Sequence, residues 1–446
     1  MLEVLANRTY RHLFLAQVIA LVGTGLATVA LGLLAYDIAG PNAGSVLGTA
    51  LAIKMVAYVG IAPVVGAFAN RLPRRAFLVA MDLVRAAVAV SLPFVSEVWQ
   101  VYLLIFLLQS ASAAFTPTFQ ATIPDVLPEE KDYTRALSLS RLGYDMESLL
   151  SPMLAAALLT VISFHGLFAG TVVGFLCSAI LVVSVTLPQA KAVVVRGGIY
   201  AKTFRGMSIY LRTPRLRGLL ALNLAAAAAS AMVIVNTVVY VQSKLQRPST
   251  DVPFALAAFG GGSMLMALWL PKILEKRPDR PAMLFGASLM GAGLLAGLLV
   301  STMGAGYEWP AFLMLWFIIG HGYSMTLTPS GRLLRRSAAA EDRPAVFAAQ
   351  FSLSHACWLI TYPLAGQLGA RFGMPAAFAA LAVVTVIGVA LAWKLWPQDD
   401  EDEIGHEHPE DPAWDQHLKE GMPLGKRKHS HVFAIDDLHP RWPDAH

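Results

Sequence analysis

Between residues 12 and 396 the chain alternates long apolar runs with short polar connections. The runs fall at 12–36, 45–69, 76–95, 99–122, 138–163, 166–187, 217–241, 252–271, 281–303, 309–330, 344–369 and 374–396. Each is close to the roughly 20 residues that an α-helix needs to cross a hydrocarbon core about 30 Å thick. The pattern therefore predicts an all-α membrane protein with twelve transmembrane helices. Residues 1–11 have no small-residue cleavage pattern, and the run after them is too long for the core of a signal peptide, so the first span is expected to remain as an anchor.

The longest internal polar stretch, Leu187 to Arg217, divides the spans into six and six and carries a short amphipathic segment from Tyr200 to Tyr210. The expected organisation is an N-terminal half over 1–187, a linker over 188–216, a C-terminal half over 217–396 and a polar tail over 397–446. The halves also share landmarks: Thr116-Pro117 returns as Thr328-Pro329, and Ser151-Pro152 returns as Tyr362-Pro363, at offsets of 212 and 211 residues. Leu72-Pro73-Arg74-Arg75 is echoed by Arg277-Pro278-Asp279-Arg280. Such weak internal repetition is what a transport fold built from two related halves leaves behind.

Composition agrees, with 56% hydrophobic and only 14% charged residues and a mean hydropathy of +0.57. The net charge of +5 is uneven, because the tail has 13 acidic and 5 basic residues, leaving 29 basic and 16 acidic for the rest. That basic excess falls in alternate loops. It sets topology rather than nucleic-acid binding, with both termini cytoplasmic in a bacterial-type inner membrane. Cys177 and Cys357, far apart in apolar runs, make no disulfide framework and read as packing residues. No Walker A loop, GxSxG elbow or HExxH helix is present, so neither ATP drive nor an enzyme is expected, and no cofactor is implied.

The loop after the second run reads Gly66-Ala-Phe-Ala-Asn70-Arg71-Leu-Pro-Arg74-Arg75. It resembles the signature loop of the major facilitator superfamily, which has Gly, any, Leu, Ala, Asp, Arg, any, Gly, Arg, and Arg or Lys. Asn70 stands where an Asp is usual and Pro73 where a Gly is usual. The resemblance implies two six-helix halves that rock about a midplane cavity, with this loop latching them on the cytoplasmic side. Phe115-Thr-Pro-Thr-Phe-Gln-Ala-Thr-Ile-Pro124, followed by Pro128-Glu-Glu and Arg135-Ala-Leu, is similar to the drug and siderophore exporter branch of that superfamily.

A charge inside a span costs roughly 2.5 to 3.5 kcal/mol on insertion scales, so such residues are functional candidates. Asp82 and Arg85 lie three apart on one helical face and can neutralise each other as part of the gate or latch. Asp145 has Arg141 one turn before it. Glu147 points about 200° away round the helix from Asp145, which leaves one of the two carboxylates as the expected proton-coupling group. Lys54, at the middle of the second run, reads as an internal counter-ion for such a carboxylate.

In the second half, His321 and Met325 share a face of the tenth run, and His355 on the eleventh can add a second nitrogen, a donor set suited to a borderline or soft cation. The tail holds seven of the eleven histidines, among them His406, His408, His417, His429, His431 and His439, beside five consecutive acids from Asp399 to Glu403. Imidazole with carboxylate suits nickel, cobalt, zinc or copper. The tail's composition predicts little order without a ligand, apart from a docking segment at Val432 to Ile435. A histidine-rich cytoplasmic end is similar to the nickel-resistance exporters of the superfamily.

The expectation is a monomeric, proton-coupled secondary exporter in contact with membrane lipid, moving Ni2+ first and Co2+ second out of the cytoplasm. The alternative is an exporter of small organic drugs or siderophores, in which His321 and His355 are dispensable. A third class, a metal sensor that moves nothing, would bind metal through the tail alone.

Overall fold

The computed structural model describes the chain except residues 1, 69–72, 130–131, 133–135, 137–138, 141–142, 144–150, 152, 156, 189–198, 302–306, 339–341, 399–402, 408–421, 424–427, 436–438, 440–441 and 443–446. Eleven helices of 18 residues or more stand among the described residues, and they coincide with eleven of the twelve apolar runs. In the first half these are α1 (Arg8–Ala39), α2 (Ala43–Phe68), α3 (Arg74–Ser91), α4 (Val98–Val126) and α5 (Phe164–Val183). A shorter α6 (Ile199–Arg212) occupies the linker. The second half has α7 (Pro214–Val239), α8 (Val252–Leu274), α9 (Asp279–Val300), α10 (Glu308–Leu327), a short α11 (Ser330–Arg336), α12 (Arg343–Phe372) and α13 (Met374–Leu395). The fifth run, at 138–163, lies largely outside the described residues.

Local chemistry sets several boundaries. The Asn7 side chain accepts a hydrogen bond from the Tyr10 N–H at 3.0 Å and so caps α1, which ends at Gly40 with φ 52°. Glu97 and Gln100 form a reciprocal capping box at the start of α4. Gly373, at φ 82°, turns the chain between α12 and α13. The helix of α7 widens into a π-helical turn, Tyr240–Lys244, before it stops.

Within the first half α1 packs on α5, α2 on α4, and α3 on both α4 and α5; within the second, α7 packs on α12 and α13, α8 on α10, and α9 on α10 and α13. The halves meet chiefly along α2 and α12. Gly48 makes this approach possible, since a Cβ there would stand 2.5 Å from the Tyr362 carbonyl oxygen, and Gly366 on α12 lies equally tight against the backbone of Gly44. Small residues at a helix crossing are how membrane helices gain contact where lipid supplies no hydrophobic driving force. Outside the bundle, Ile180, Leu268, Leu299 and Trp393 are exposed, the apolar surface that lipid covers. The molecule is a multi-pass membrane protein.

Strand order in the tail is β1 (Glu403–Glu407), β3 (Lys428–Val432), β2 (Met422–Pro423), all antiparallel, so a segment where composition predicts little order contributes a small sheet among its described residues. Register places His406 opposite His429, and Ile404 opposite His431. The docking expected of Val432 to Ile435 is present: Phe433 and Ile435 are buried and join the main core, which also contains Leu216 and Trp396. Trp442 lies under the guanidinium of Arg215, 5.2 Å from ring centroid to carbon.

Candidate functional site: a cleft between the first-half helices

Because the helices alternate in direction, one end of the bundle holds both chain termini and the linker, here the terminal end, and the other is the distal end. A narrow cleft with a cavity volume of about 30 Å³ opens among α1, α2, α4 and α5. Its polar lining is Thr24 and Thr28 from α1, Gln109 and Ser112 from α4, and Lys54 from α2; the remainder is aliphatic or aromatic, including Leu31, Leu51, Ile105 and Phe175. Both threonine hydroxyls bond back to the carbonyl four residues earlier, at 2.9 and 3.0 Å, and Ser112 does the same to Leu108 at 3.0 Å. This habit satisfies a hydroxyl in a helix and leaves its lone pairs to accept a further donor.

The Lys54 ammonium stands 5.8 Å from the ring centroid of Tyr58, and Tyr58 is stacked on His355 at 5.7 Å. Lys54 therefore reaches the seam between α2 and α12. His355 bonds to the Phe351 carbonyl through Nδ1 at 2.6 Å and lies 4.0 Å from the Phe351 ring. Below the cleft, Asp82 and Arg85 form the intrahelical ion pair that their spacing predicts. Ser178 donates to Asp82 at 2.8 Å, and the Arg85 guanidinium lies between the rings of Phe115 and Phe175 at 4.2 and 4.5 Å. Phe175 thus belongs to both the pair and the cleft wall.

The proposed transport-site metal group is not assembled. His321 stacks on Phe317 at 6.4 Å with its Nδ1 shut from solvent and without a hydrogen-bond partner among the described residues. Met325 packs in a hydrophobic cluster with Met266, Leu270 and Ala282. His355, on α12, meets the first half instead, because α12 packs on α2 whereas α10 packs on α8 and α9. Among the described residues no group of three histidine, cysteine or acidic side chains could hold a metal.

At the terminal end Arg74 pairs with Asp125, and Arg75 donates to the Val183 carbonyl at the close of α5. The second half repeats this corner. Asp279, which stands where Arg74 stands in the repeat, takes Arg332 through Nε at 3.1 Å and Arg336 at 3.5 Å; Arg280, matching Arg75, donates to the carbonyls of Trp396 and Trp393 at 2.9 and 3.0 Å. The linker helix α6 is fastened to α12 by Arg205, bidentate on Asp342 at 2.6 and 2.9 Å, and by a hydrogen bond from Tyr210 to Gln350. Burial pushes the Tyr210 phenol well above its ordinary value, so this donor keeps its proton at any physiological pH.

Asn70, Arg71, Arg141, Asp145, Glu147, His408 and His417 lie outside the described residues; Gly66 sits within α2, and His406, His429 and His431 are placed by backbone alone. His439 is buried and stacks edge-on to Phe433 at 4.9 Å, so it packs the tail against the bundle. Sequence reasoning missed Gln109, Ser112, Thr24 and Thr28, since uncharged polar residues in apolar runs carry no cost that singles them out. It also missed Glu308, one residue outside the expected tenth span.

The fold has solved counterparts. A POT family transporter crystallised in complex with 5-aminolevulinic acid superposes with a TM-score of 0.70 at 14% identity, over 89% of this chain and 97% of that one, a likeness of fold alone. The MFS-type transporter YvqJ of Bacillus subtilis (strain 168) is 25% identical over 410 residues, 87% of this chain and 93% of that protein. Macrolide efflux protein A of Enterococcus faecalis is 27% identical over 153 residues, 32% of this chain and 47% of that protein. The family model of the Major Facilitator Superfamily matches at residues 13–305 and again at 220–434. Two related helical halves, an amphipathic cleft beside their seam and a family match that reaches across nearly the whole chain lead to one conclusion: the protein belongs to the Major Facilitator Superfamily and is a secondary transporter, not an enzyme.

Proposed function

We propose that the protein exports small amphipathic organic solutes, neutral or acidic, from the cytoplasm in exchange for protons, as a monomer whose terminal end faces inward. The observation that carries this reading is the lining of the cleft. Hydroxyls, an amide and one ammonium are spread over an aliphatic and aromatic wall, the mixture of apolar lining and a few polar groups by which small-molecule sites recognise organic solutes. None of the lining residues is an imidazole, thiolate or carboxylate, the donors a transition-metal cation takes. Efflux by the macrolide relative supports an organic solute and the outward direction, though not its charge. The coupling proton is assigned to Asp145 or Glu147. The domain boundaries remain those at 187, 216 and 396.

Nickel export, the reading suggested by the tail, keeps one supporting observation: the sheet register pairs His406 with His429 across two strands. It predicts that cells bearing the full chain tolerate graded nickel or cobalt and hold less metal, and that removing residues 397–446 weakens this.

Both readings are tested together by expressing the chain in an efflux-deficient host and measuring tolerance and accumulation for acidic, neutral and cationic organic compounds alongside nickel and cobalt. Lower accumulation of acidic or neutral organic compounds, collapsing with the proton gradient, is the expected result. Lower nickel with unchanged organic accumulation would replace it with the metal reading.

A further inference from the structure

Among the described residues Lys54 is the one charged side chain that lines the cleft, and its ammonium sits at the end of a flexible four-carbon stem. Such a stem spreads its charge over a wide volume unless something holds it. A site that recognises an acid gains affinity when the charge is already in place.

Three rings supply the support. Tyr58 stands one turn after Lys54 on the same face of α2, and the ammonium lies 5.8 Å from its ring centroid, within the range of a cation–π contact. His355 of α12 lies nearly parallel to the Tyr58 ring, 5.7 Å away with 10° between the planes. Phe351 stands 6.2 Å from Tyr58 and 4.0 Å from His355. The His355 ring is fixed in its turn, because its Nδ1 meets the Phe351 carbonyl at 2.6 Å, and a carbonyl only accepts, so Nδ1 donates.

These rings belong to different halves. Along the antiparallel crossing of α2 and α12, Gly44 faces Gly366 and Gly48 faces Tyr362 towards the distal end, while Tyr58 faces Phe351 and His355 towards the terminal end. Where the seam is glycine, backbones touch; where it is aromatic, side chains reach across. The charge that faces the first-half cleft is therefore supported, through one intervening ring, by a ring of the second half.

We propose that Tyr58 and His355 are positioning residues for the Lys54 ammonium, so that recognition of an acidic solute in the first half depends on the second half being packed against it. Tyr58 holds the cation on its face, and His355 holds Tyr58 from across the seam. When the halves part at the level of Tyr58, the ring loses its stacking partner and the ammonium loses its place. Affinity for an acid then falls, whereas a neutral solute makes no use of the ammonium and is held alike in both arrangements. The proposal rests on the reading that Lys54 receives the acidic group of an exported solute.

The test uses the full chain in lipid nanodiscs and measures how fast Lys54 is acylated by acetic anhydride, read by mass spectrometry of the peptide that contains it. The reaction is run alone, with benzoate, and with its neutral counterpart benzamide. A cation–π contact is worth roughly two- to thirtyfold in an equilibrium, and a held side chain meets the reagent less often than a free one. Acylation faster by about that factor is expected in Tyr58→Leu and in His355→Ala, with rates close to the parent's in Tyr58→Phe and His355→Phe, which keep a ring. Benzoate should protect Lys54 better than benzamide does in the parent and in the two ring-keeping variants, and no better than benzamide in the other two. A merely structural loss would not separate the acid from the amide. Acylation as fast in the parent as in Tyr58→Leu and His355→Ala overturns the proposal, and so does benzoate protection that survives both substitutions. A parent that benzoate leaves unprotected, with the variant rates as expected, removes the acid-binding reading of Lys54 and leaves the positioning contact standing.

Discussion

Arg85 and Asp82 show how a single pair of charges is accommodated in the apolar interior: an ion pair between neighbours on one face, a serine hydroxyl on the acid and two aromatic rings around the base. Removing one partner strands the other, which typically costs about 3–5 kcal/mol for a buried pair. Arg85→Met should therefore lower the melting temperature in detergent sharply, and Asp82→Asn combined with Arg85→Met should recover most of the loss. Transport restored by the double variant would mark the pair as structural; stability restored without transport would give it a part in the transport cycle. Lys54 behaves differently, because it lines space rather than filling it. A hydrogen bond to a charged group is worth about 1.5–3 kcal/mol. Lys54→Met is therefore expected to reduce export of acidic solutes by roughly ten- to hundredfold while sparing neutral ones. Equal loss for both classes, measured as initial efflux rates, would remove Lys54 from the binding site.

Two helix pairs carry the mechanics at the scale of elements. The corner after α2 and its counterpart after α8 do one job with reversed charges: residue 74 or 279 reaches a neighbouring helix end through an ion pair, and residue 75 or 280 covers exposed carbonyls. An arginine on terminal carbonyls satisfies acceptors that a helix leaves orphaned and opposes the negative end of its dipole. The α2–α12 crossing is the other pair. With Gly366 against the Gly44 backbone, Gly366→Val overpacks the seam, at a typical cost of about 1–3 kcal/mol. The expected outcome is normal insertion with a distal end that closes about tenfold or more less often, read as faster modification of Ser45→Cys by an impermeant maleimide in a chain whose native cysteines are serine. Unchanged reactivity would mean that this crossing is not the outer seal.

For the whole molecule, the described part of the tail is joined to the bundle at one apolar anchor. It is polar and acidic, yet Phe433 and Ile435 enter the main core, and Trp442 and Arg215 stack beside them. Truncating a buried phenylalanine costs about 3–5 kcal/mol in a well-packed site. Phe433→Ala should accordingly release the sheet, with amide exchange in β3 faster by on the order of a hundredfold or more and the spans unaffected. Equal exchange in both proteins would show that the sheet is held by something other than this anchor.

The sequence alone determined that the chain crosses a membrane many times, where the helices run and that two halves repeat, because burial in lipid demands about 20 apolar residues per crossing whatever the neighbours are. It also foretold the Asp82–Arg85 pair, since three residues along a helix fixes a face without knowledge of the fold. The tertiary structure decided what depends on which helices touch. His355 turned to α2, Thr24 and Gln109 became walls of one cleft, and Glu308, silent in the sequence, was buried against the hydroxyl of Tyr240, whose ring packs on Phe312 and Phe378. Spacing along a chain fixes which residues share a helix face, but only packing decides what that face meets.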